Sequence, residues 1–261
     1  MCVSRTHRQR RRLRGLLCTG AALALGGLAG PADPALAAPA PVAPEAPPRA
    51  VVTRLSNLHS VTRWAYTESD AVIRAAPSPR ARPVGRLRFL TPDDQAELYD
   101  VLAAAKTPRA GSWLQVEVPA RPNGRRGWVP RPALSSLHVV HSYLLVDQGS
   151  LRATLFREGR AIFSAPVGVG KPSTVTPGGE FYVLEKLRSI GSPIYGPFAI
   201  GTSAYAPTLS EWPGGGVVGI HGTNEPQLIP GRPSHGCIRM RDADITRLWS
   251  LIGLGTPIEI T

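Results

Sequence analysis

Four side chains that could act together chemically lie close to one another in the 261-residue chain: His221, His235, Cys237 and Arg239. An imidazole beside a thiol can take its proton, and the resulting thiolate is a strong nucleophile. Attack on a carbonyl carbon creates an oxyanion, which backbone N–H groups can stabilise. Gly236 permits a turn that directs successive N–H groups into one cavity. The pattern therefore indicates acyl transfer by a cysteine.

Two other interpretations use the same side chains. A zinc site from His221, His235 and Cys237 is chemically sensible, but the spacing matches no common structural pattern and no fourth ligand is obvious. A purely structural cluster is the other alternative. Papain-like proteases place the cysteine before the histidine, whereas here His221 precedes Cys237, and the caspase-type signature is missing.

The amino terminus predicts export. Six arginines lie within the first fourteen positions, an apolar stretch runs from Leu16 to Gly30, and small residues surround Ala37. This pattern is typical of a secretory signal peptide, so we expect cleavage near Ala37 and no stable membrane span afterwards. An uncut anchor is the alternative, although the apolar stretch is short for a spanning helix. Cys2 and Cys18 would leave with the signal peptide, so Cys237 would remain as a lone exported thiol.

Charge and composition exclude further classes. Loss of residues 1–37 removes six arginines and Asp33, which lowers the formal charge from +12 to +7. The remaining arginines are scattered and lack the aromatic interleaving of nucleic-acid readers, so we expect no nucleic-acid partner and attraction to an anionic cell-wall surface. With 27 glycines and 27 prolines, the chain cannot be mostly helical.

Composition divides the chain into four ranges. After the signal peptide at 1–37, a Pro/Ala-rich linker is expected at 38–60 because five prolines favour extended polyproline II. Short apolar stretches between turn clusters then predict a small β domain at 61–136 and a second β-rich domain at 137–261.

The predicted secondary structure is mainly β. In the second domain we expect strands at 138–147, 151–156, 161–169, 181–184 and 258–260, whereas 189–217 shows little periodicity. One helix is predicted, at Asp242–Leu251. There Ile245, Leu248, Trp249 and Ile252 recur at helical spacing, acids come first and glycines follow.

The stretches IHGTNEP (220–226) and SHGCIRM (234–240) resemble the signature of L,D-transpeptidases, peptidoglycan cross-linking enzymes with a catalytic cysteine. The similarity extends over about 137–261 and includes GVGKP (168–172) and TPGG (176–179). It implies a catalytic β-sandwich-like domain with one short helix.

A weaker resemblance covers the first domain. WLQV (113–116), Asn123-Gly124 and GWVP (127–130) resemble the terminal hairpin of bacterial SH3-like domains, which implies a small SH3-like β-barrel. The insert at 91–108 is longer than that pattern, so the number of strands there stays open.

The transpeptidase resemblance implies a role for each residue that carries the reaction. Cys237 is expected as the nucleophile and His221 as the general base and acid. The N–H groups of Gly236 and Cys237 would form the oxyanion hole. The backbone carbonyl of Gly222 would orient His221.

Three further residues are expected to bind substrate or orient the site. Ser234 belongs to this group, and His235 would either shape the site or orient a neighbouring group. Arg239 would bind substrate carboxylates through its planar fork, and the alternative is a solvated surface arginine. The resemblance implies neither a metal nor a cofactor.

The reaction that the resemblance implies uses a tetrapeptide stem of peptidoglycan. Cys237 would cleave the bond between an L-centre and the terminal D-alanine, and an amine of a neighbouring stem would resolve the thioester as a 3→3 cross-link. Water as acceptor would make an L,D-carboxypeptidase, and a protein amine would make an attachment enzyme. A non-catalytic wall-binding protein is the remaining alternative.

The resemblance also implies where the protein acts and what it meets there. Stem peptides are the expected partners, and the SH3-like domain would either bind glycan or peptide or only space the active site. Carbapenems are expected to acylate Cys237. The expected location is the periplasm or the cell wall.

Overall fold

The computed structural model describes residues 50–188, 192–209 and 215–261. The predicted signal peptide and residues 38–49 of the predicted linker lie outside these ranges. Within them, the protein is mainly β with a single α-helix, which confirms the predicted fold class. The described residues belong to one compact unit that holds two sheets.

The first sheet is antiparallel throughout its described pairs. Its strands are β1 (Val51–Arg54), β2 (Thr62–Tyr66), β3 (Val72–Arg74), β4 (Pro83–Arg86), β5 (Leu98–Thr107), β6 (Gly111–Glu117), β7 (Arg126–Pro130) and β8 (His138–Val140). They are ordered β4-β3-β7-β6-β5-β2-β8, and β1 also pairs with β5. The long strand β5 is therefore the centre of this sheet.

The second sheet is mixed. Its strands are β9 (Ser142–Asp147), β10 (Arg152–Arg157), β11 (Arg160–Pro166), β12 (Gly168–Gly170), β13 (Gly179–Arg188), β14 (Phe198–Tyr205), β15 (Val217–His221), β16 (Gly231–Ser234), β17 (Ile238–Arg239) and β18 (Pro257–Ile260). The order is β11-β10-β9-β18-β13-β14-β15-β17-β12-β16. Parallel pairing occurs between β9 and β18, β15 and β17, and β12 and β16. The last two pairs lie around the predicted site.

The helix α1 spans Asp242–Leu251, as the sequence predicts. Ile245 and Leu248 are fully buried against the second sheet, and the ring of Trp249 stacks on Phe198 with centroids 4.7 Å apart. Acidic residues in the first turn interact favourably with the helix dipole. In the part of the chain that the structure describes, no helix is long and apolar enough to span a membrane.

Several strands are not predicted by the sequence, among them β15, β16 and β17, and the sequence does not fix the number of strands at 91–108. β14 falls in the stretch 189–217, and it is buried at seven of eight positions, so it lacks the alternation that reveals a half-exposed strand. β5 occupies much of the insert at 91–108. β1 lies inside the range 38–60 assigned to the linker and pairs with β5 in register Val51 to Lys106.

The two sheets contact each other through a small apolar cluster. Trp64 and Leu98 of the first sheet pack against Tyr182 and Leu184 of the second. The Tyr182 hydroxyl donates a hydrogen bond to the carbonyl of Leu98 at 3.3 Å. These buried contacts tie the two sheets into one unit.

Gly255 offers a test of this contact. It has a φ of +67°, and an added Cβ would overlap the indole ring of Trp64. Gly159 has a similar φ of +75° but open space around it. We expect Gly159→Ala to lower the free energy of unfolding by about 1–2 kcal/mol, the backbone cost alone. Gly255→Ala should cost about 1–3 kcal/mol more because of overpacking. Equal losses in chemical denaturation would contradict the packing of Trp64 on Gly255.

Candidate active site

Pairing between two short strands brings the predicted nucleophile to the predicted base. β17 runs parallel to β15, with Ile238 opposite Ile220 and Arg239 opposite His221. Cys237 immediately precedes β17, and its Sγ accepts a hydrogen bond from the N–H of Gly219 at 3.5 Å. The thiol is half-buried and His221 is 3% exposed. Both residues line one cavity of about 220 Å³.

The imidazole of His221 is held by the adjacent backbone. Its Nδ1 lies 2.7 Å from the carbonyl oxygen of Gly222, and the ring of Tyr195 packs edge-on with centroids 4.8 Å apart. Because a carbonyl only accepts, Nδ1 carries the hydrogen and Nε2 keeps its lone pair. This is the contact that the sequence assigns to the Gly222 carbonyl.

Burial keeps this imidazole neutral. It lowers the pKa of His221 to about 4, the hydrogen bond to Gly222 opposes this change, and the charge of Arg239 adds to it. A neutral ring with a free lone pair can act as a general base at neutral pH.

Burial also favours the protonated, neutral form of the nucleophile. It raises the pKa of the Cys237 thiol, while the Gly219 N–H and the charge of Arg239 oppose the rise. A neutral thiol therefore lies at the same cavity as a neutral imidazole. This pair would transfer its proton only when the sulfur attacks.

The turn before Cys237 is held from two sides. The Ser234 hydroxyl donates to the Cys237 carbonyl at 2.5 Å, and its oxygen accepts the Gly236 N–H at 3.1 Å. The buried hydroxyl of Thr176 donates to the Gly236 carbonyl and accepts the Gly170 N–H, both at 2.8 Å. Thr176 thus connects the TPGG and GVGKP segments to the nucleophile. The TPGG motif pointed to this segment, but the role of the hydroxyl was not predicted.

The two N–H groups of the predicted oxyanion hole differ in their resting partners. The Gly236 N–H donates to the Ser234 hydroxyl at 3.1 Å. No backbone acceptor is found for the Cys237 N–H within the described ranges. An oxyanion hole formed by Gly236 and Cys237 stays a prediction.

Arg239 is not a solvated surface arginine. Its side chain is 13% exposed, and Nη1 donates to Glu225 Oε2 at 2.8 Å. Its Nε is buried and has no hydrogen-bond partner among the described residues. Arg239 and the exposed His235 line both the thiol cavity and a neighbouring cavity of about 610 Å³. A cation is therefore fixed between two openings.

The described residues show no arrangement of side chains that matches a zinc site. Across residues 50–188, 192–209 and 215–261, no group of three His, Cys, Asp or Glu side chains is placed to hold a metal ion.

The first sheet holds part of the cavity wall in place. In the turn between β6 and β7, the Arg121 guanidinium donates to the carbonyls of Ala206, Leu209 and Gly215 at 3.0, 2.8 and 2.6 Å. Ala206 and Leu209 line the thiol cavity. Neither periodicity nor motif indicates Arg121, because its acceptors are backbone groups distant in sequence.

A second residue of the same turn strengthens this contact. Asn123 Nδ2 donates to the Tyr205 carbonyl at 2.8 Å, and its Oδ1 accepts the Tyr205 N–H at 2.9 Å. The side chain thus pairs with the backbone at the end of β14 as a neighbouring strand would.

Comparison with known proteins identifies the family. Residues 141–260 match the model of the L,D-transpeptidase catalytic domain. YkuD of Bacillus subtilis is 36% identical over 129 residues, which cover 49% of this chain and 71% of that protein. The chain belongs to the L,D-transpeptidase family. YkuD of Bacillus licheniformis is 38% identical over 130 residues, covering 50% of this chain and 72% of that protein.

The similarity to a mycobacterial relative extends beyond the second sheet. L,D-transpeptidase 1 of Mycobacterium tuberculosis is 23% identical over 254 residues, which cover 81% of this chain and 99% of that protein. Residues 141–260, which match the model of the catalytic domain, include strands β9–β18 and therefore also His221, Cys237 and Arg239.

The protonation state of the thiol can be measured by alkylation. We expect iodoacetamide to modify Cys237 slowly at pH 7 and faster as the pH rises, because only the thiolate reacts and burial raises its pKa. Peptide mass spectrometry of the full chain follows the Cys237 peptide, with free cysteine as the reference. A fast rate that stays constant from about pH 6 to pH 8 would reveal a thiolate–imidazolium pair and contradict this expectation.

The contact made by Arg121 can be tested by hydrogen exchange. Hydrogen bonds from a charged donor contribute about 1.5–3 kcal/mol, so Arg121→Ala should speed amide exchange at residues 205–209 at least about tenfold. Arg109 is exposed in the turn between β5 and β6 and provides the control Arg109→Ala. Unchanged exchange in Arg121→Ala would mean that the first sheet does not hold this wall.

Proposed function

We propose that the protein is an L,D-transpeptidase that cleaves the bond between an L-centre and the terminal D-alanine of a peptidoglycan tetrapeptide stem. It then transfers the acyl group to an amine of a neighbouring stem. One observation carries the proposal: a neutral Cys237 thiol and the unprotonated nitrogen of His221 belong to residues that line the same small cavity. Membership of the family supports the choice of substrate.

The first half-reaction forms a thioester. His221 Nε2 takes the thiol proton while Sγ attacks the carbonyl carbon, and the carbonyl electron pair moves to its oxygen. The Cys237 N–H receives this oxyanion, and removal of one such donor typically costs about 3–4 kcal/mol. The hydrogen bond from the Gly219 N–H stabilises the negative charge that develops on the sulfur as its proton leaves. When the carbonyl reforms, the C–N bond breaks and His221 returns the proton to the departing D-alanine amine.

The second half-reaction needs an approach for another stem. The cavity of about 610 Å³ shares His235 and Arg239 with the thiol cavity and is also lined by Lys171 and Arg232. The positive charges of Arg239, Lys171 and Arg232 suit a peptide that carries carboxylates. Its amine attacks the thioester and His221 takes a proton from that amine. The C–S bond then breaks, and His221 passes this proton to the departing sulfur, which restores the thiol.

Arg239 is proposed to bind a substrate carboxylate. Glu225 holds one end of its guanidinium at 2.8 Å, and the buried Nε retains a free donor. A planar donor group fixed in this way is already ordered before substrate arrives, which lowers the entropic cost of binding.

Hydrolysis and attachment of a protein use the same first half-reaction and differ only in the acceptor. Apolar side chains of Ile194, Leu209 and Val218 line the thiol cavity. They disfavour an ordered water beside the thioester, which supports an amine acceptor over water. Peptidoglycan as substrate also agrees with the export that the sequence predicts.

The test uses a disaccharide-tetrapeptide with the native chain and with Cys237→Ser and His221→Gln. We expect free D-alanine and a cross-linked dimer from the native chain and neither product from Cys237→Ser. His221→Gln should be slowed about 10²–10⁴-fold because it loses general acid–base catalysis. His141 is an exposed histidine, so His141→Gln is the matched control and should keep full activity.

Product analysis by mass spectrometry separates the alternatives. Tripeptide and D-alanine without a dimer would show hydrolysis. A folded native chain that yields no product, and no covalent carbapenem adduct on Cys237, would contradict an enzymatic function.

A further inference from the structure

A separate cavity lies where the two sheets meet. It measures about 480 Å³ and shares no lining residue with the thiol cavity. Residues of β1, β2, β5, β6 and β7 form one side, and Glu180 and Phe181 of β13 form the other. We call it the junction cavity.

Two buried carboxyl groups lie side by side in the junction cavity. Val101 pairs with Val116 in the β5–β6 ladder, so Asp100 and Glu117 are neighbours on adjacent strands. Asp100 is 6% exposed and Glu117 is 4% exposed. Like charges at such positions repel, so two ionised carboxylates need a cation between them.

Two buried oxygens of the junction cavity have no hydrogen-bond partner among the described residues. Asp100 Oδ1 and Thr62 Oγ1 are buried, and the described residues give neither a hydrogen bond. Glu117 Oε1 accepts the Ser203 hydroxyl at 3.1 Å. Buried polar atoms without partners are rare in proteins, and these two oxygens are able to accept the donors of a ligand.

The nearby cations have other partners, although the charge of Arg126 also acts on both carboxyl groups. Arg126 Nη2 pairs with Glu180 Oε2 at 3.2 Å, and Arg54 Nε donates to the Ser56 carbonyl at 2.9 Å. Burial raises the pKa of Asp100 to about 7 and that of Glu117 to about 8. Near pH 7, about half of Asp100 and most of Glu117 are therefore protonated when no ligand is bound.

We propose that the junction cavity binds an alkylammonium group, the side-chain amine of a diamino acid in a peptidoglycan stem. The ammonium lies between Asp100 and Glu117, and its aliphatic chain lies along Leu102, Ala103 and Phe181. An ammonium has three N–H donors, which match Asp100, Glu117 and Thr62. The choice of a stem as the source rests on the proposed function, whereas the site for the amine does not.

A divalent cation is a poorer match. Calcium takes six to eight oxygen ligands, usually with several carboxylates, and no group of three suitable side chains is assembled in the ranges that the structure describes. The apolar residues along the cavity are also more suited to an aliphatic chain than to a hydrated ion.

Proton release gives the site a distinctive signature. Binding of an ammonium requires the carboxylates, so protons leave Asp100 and Glu117, and affinity should rise from about pH 6 to pH 8.5. It should fall again only where the amine itself loses its proton, near pH 10.4. The other charged or titratable groups that act on this pair are Arg126 of β7 and Glu180 and Tyr182 of β13, with Arg54 of β1 at the cavity wall.

The experiment uses the full chain with Cys237→Ser, so that binding is measured without catalysis. The probe is Nα-acetyl-lysine methylamide, and Nα-acetyl-norleucine methylamide is the matched ligand without the amine. Calorimetry in two buffers of different ionisation enthalpy reports affinity and protons released. We expect binding of the lysine probe with proton release, no binding of the norleucine probe, and at least tenfold weaker binding in Asp100→Asn.

Glu68→Gln changes an exposed acid of the first-sheet region and should bind the lysine probe normally. A lysine probe that does not bind at millimolar concentration, or that binds equally to Asp100→Asn with an unchanged melting temperature, would overturn the site. So would calcium binding that depends on Asp100.

Binding to purified peptidoglycan sacculi tests the source of the amine. We expect Asp100→Asn to reduce co-sedimentation of the Cys237→Ser chain with sacculi. Unchanged co-sedimentation, together with loss of the lysine probe, would overturn the stem as ligand. Because every arm uses an inactive chain, failure here is distinguishable from failure of the transpeptidase assay.

Discussion

The parallel pairing of β15 with β17 is the constraint on which the candidate active site depends. It aligns His221 with Arg239, so the thiol of Cys237, two residues before Arg239, lies beside the N–H of Gly219. A slip of one residue in this register would send alternate side chains to the opposite face of the sheet. The nucleophile and the base come from segments sixteen residues apart, and this short ladder is what brings them to one cavity.

Burial then determines the resting chemistry of that pair. The same desolvation lowers the pKa of His221 and raises that of Cys237, so both groups are uncharged until a substrate arrives. Hydrogen bonds from outside the pair fix its geometry: Gly222 orients the ring, and Thr176 holds the turn before the thiol. Residues without a chemical role in the proposed reaction thus hold the candidate active site in its geometry.

Local signals in the sequence predicted the class of fold, the helix α1 and the residues that surround Cys237, because turn residues and helical spacing act over short distances. Local signals do not predict structure that depends on residues distant in the sequence. β14 has no alternation because both of its faces are buried, and Arg121 acts on backbone carbonyls about ninety residues away. The hydrogen bond from the Gly236 N–H to the Ser234 hydroxyl is likewise visible only in the folded turn.

The central claim is that a neutral thiol lies with a neutral imidazole whose hydrogen is on Nδ1. The ¹⁵N chemical shifts of the His221 ring in the native protein at pH 7 test it directly, with His221→Gln assigning the signals. The account predicts one protonated nitrogen, Nδ1, and one unprotonated nitrogen, Nε2. Two protonated nitrogens would mean an imidazolium paired with a thiolate and would contradict it.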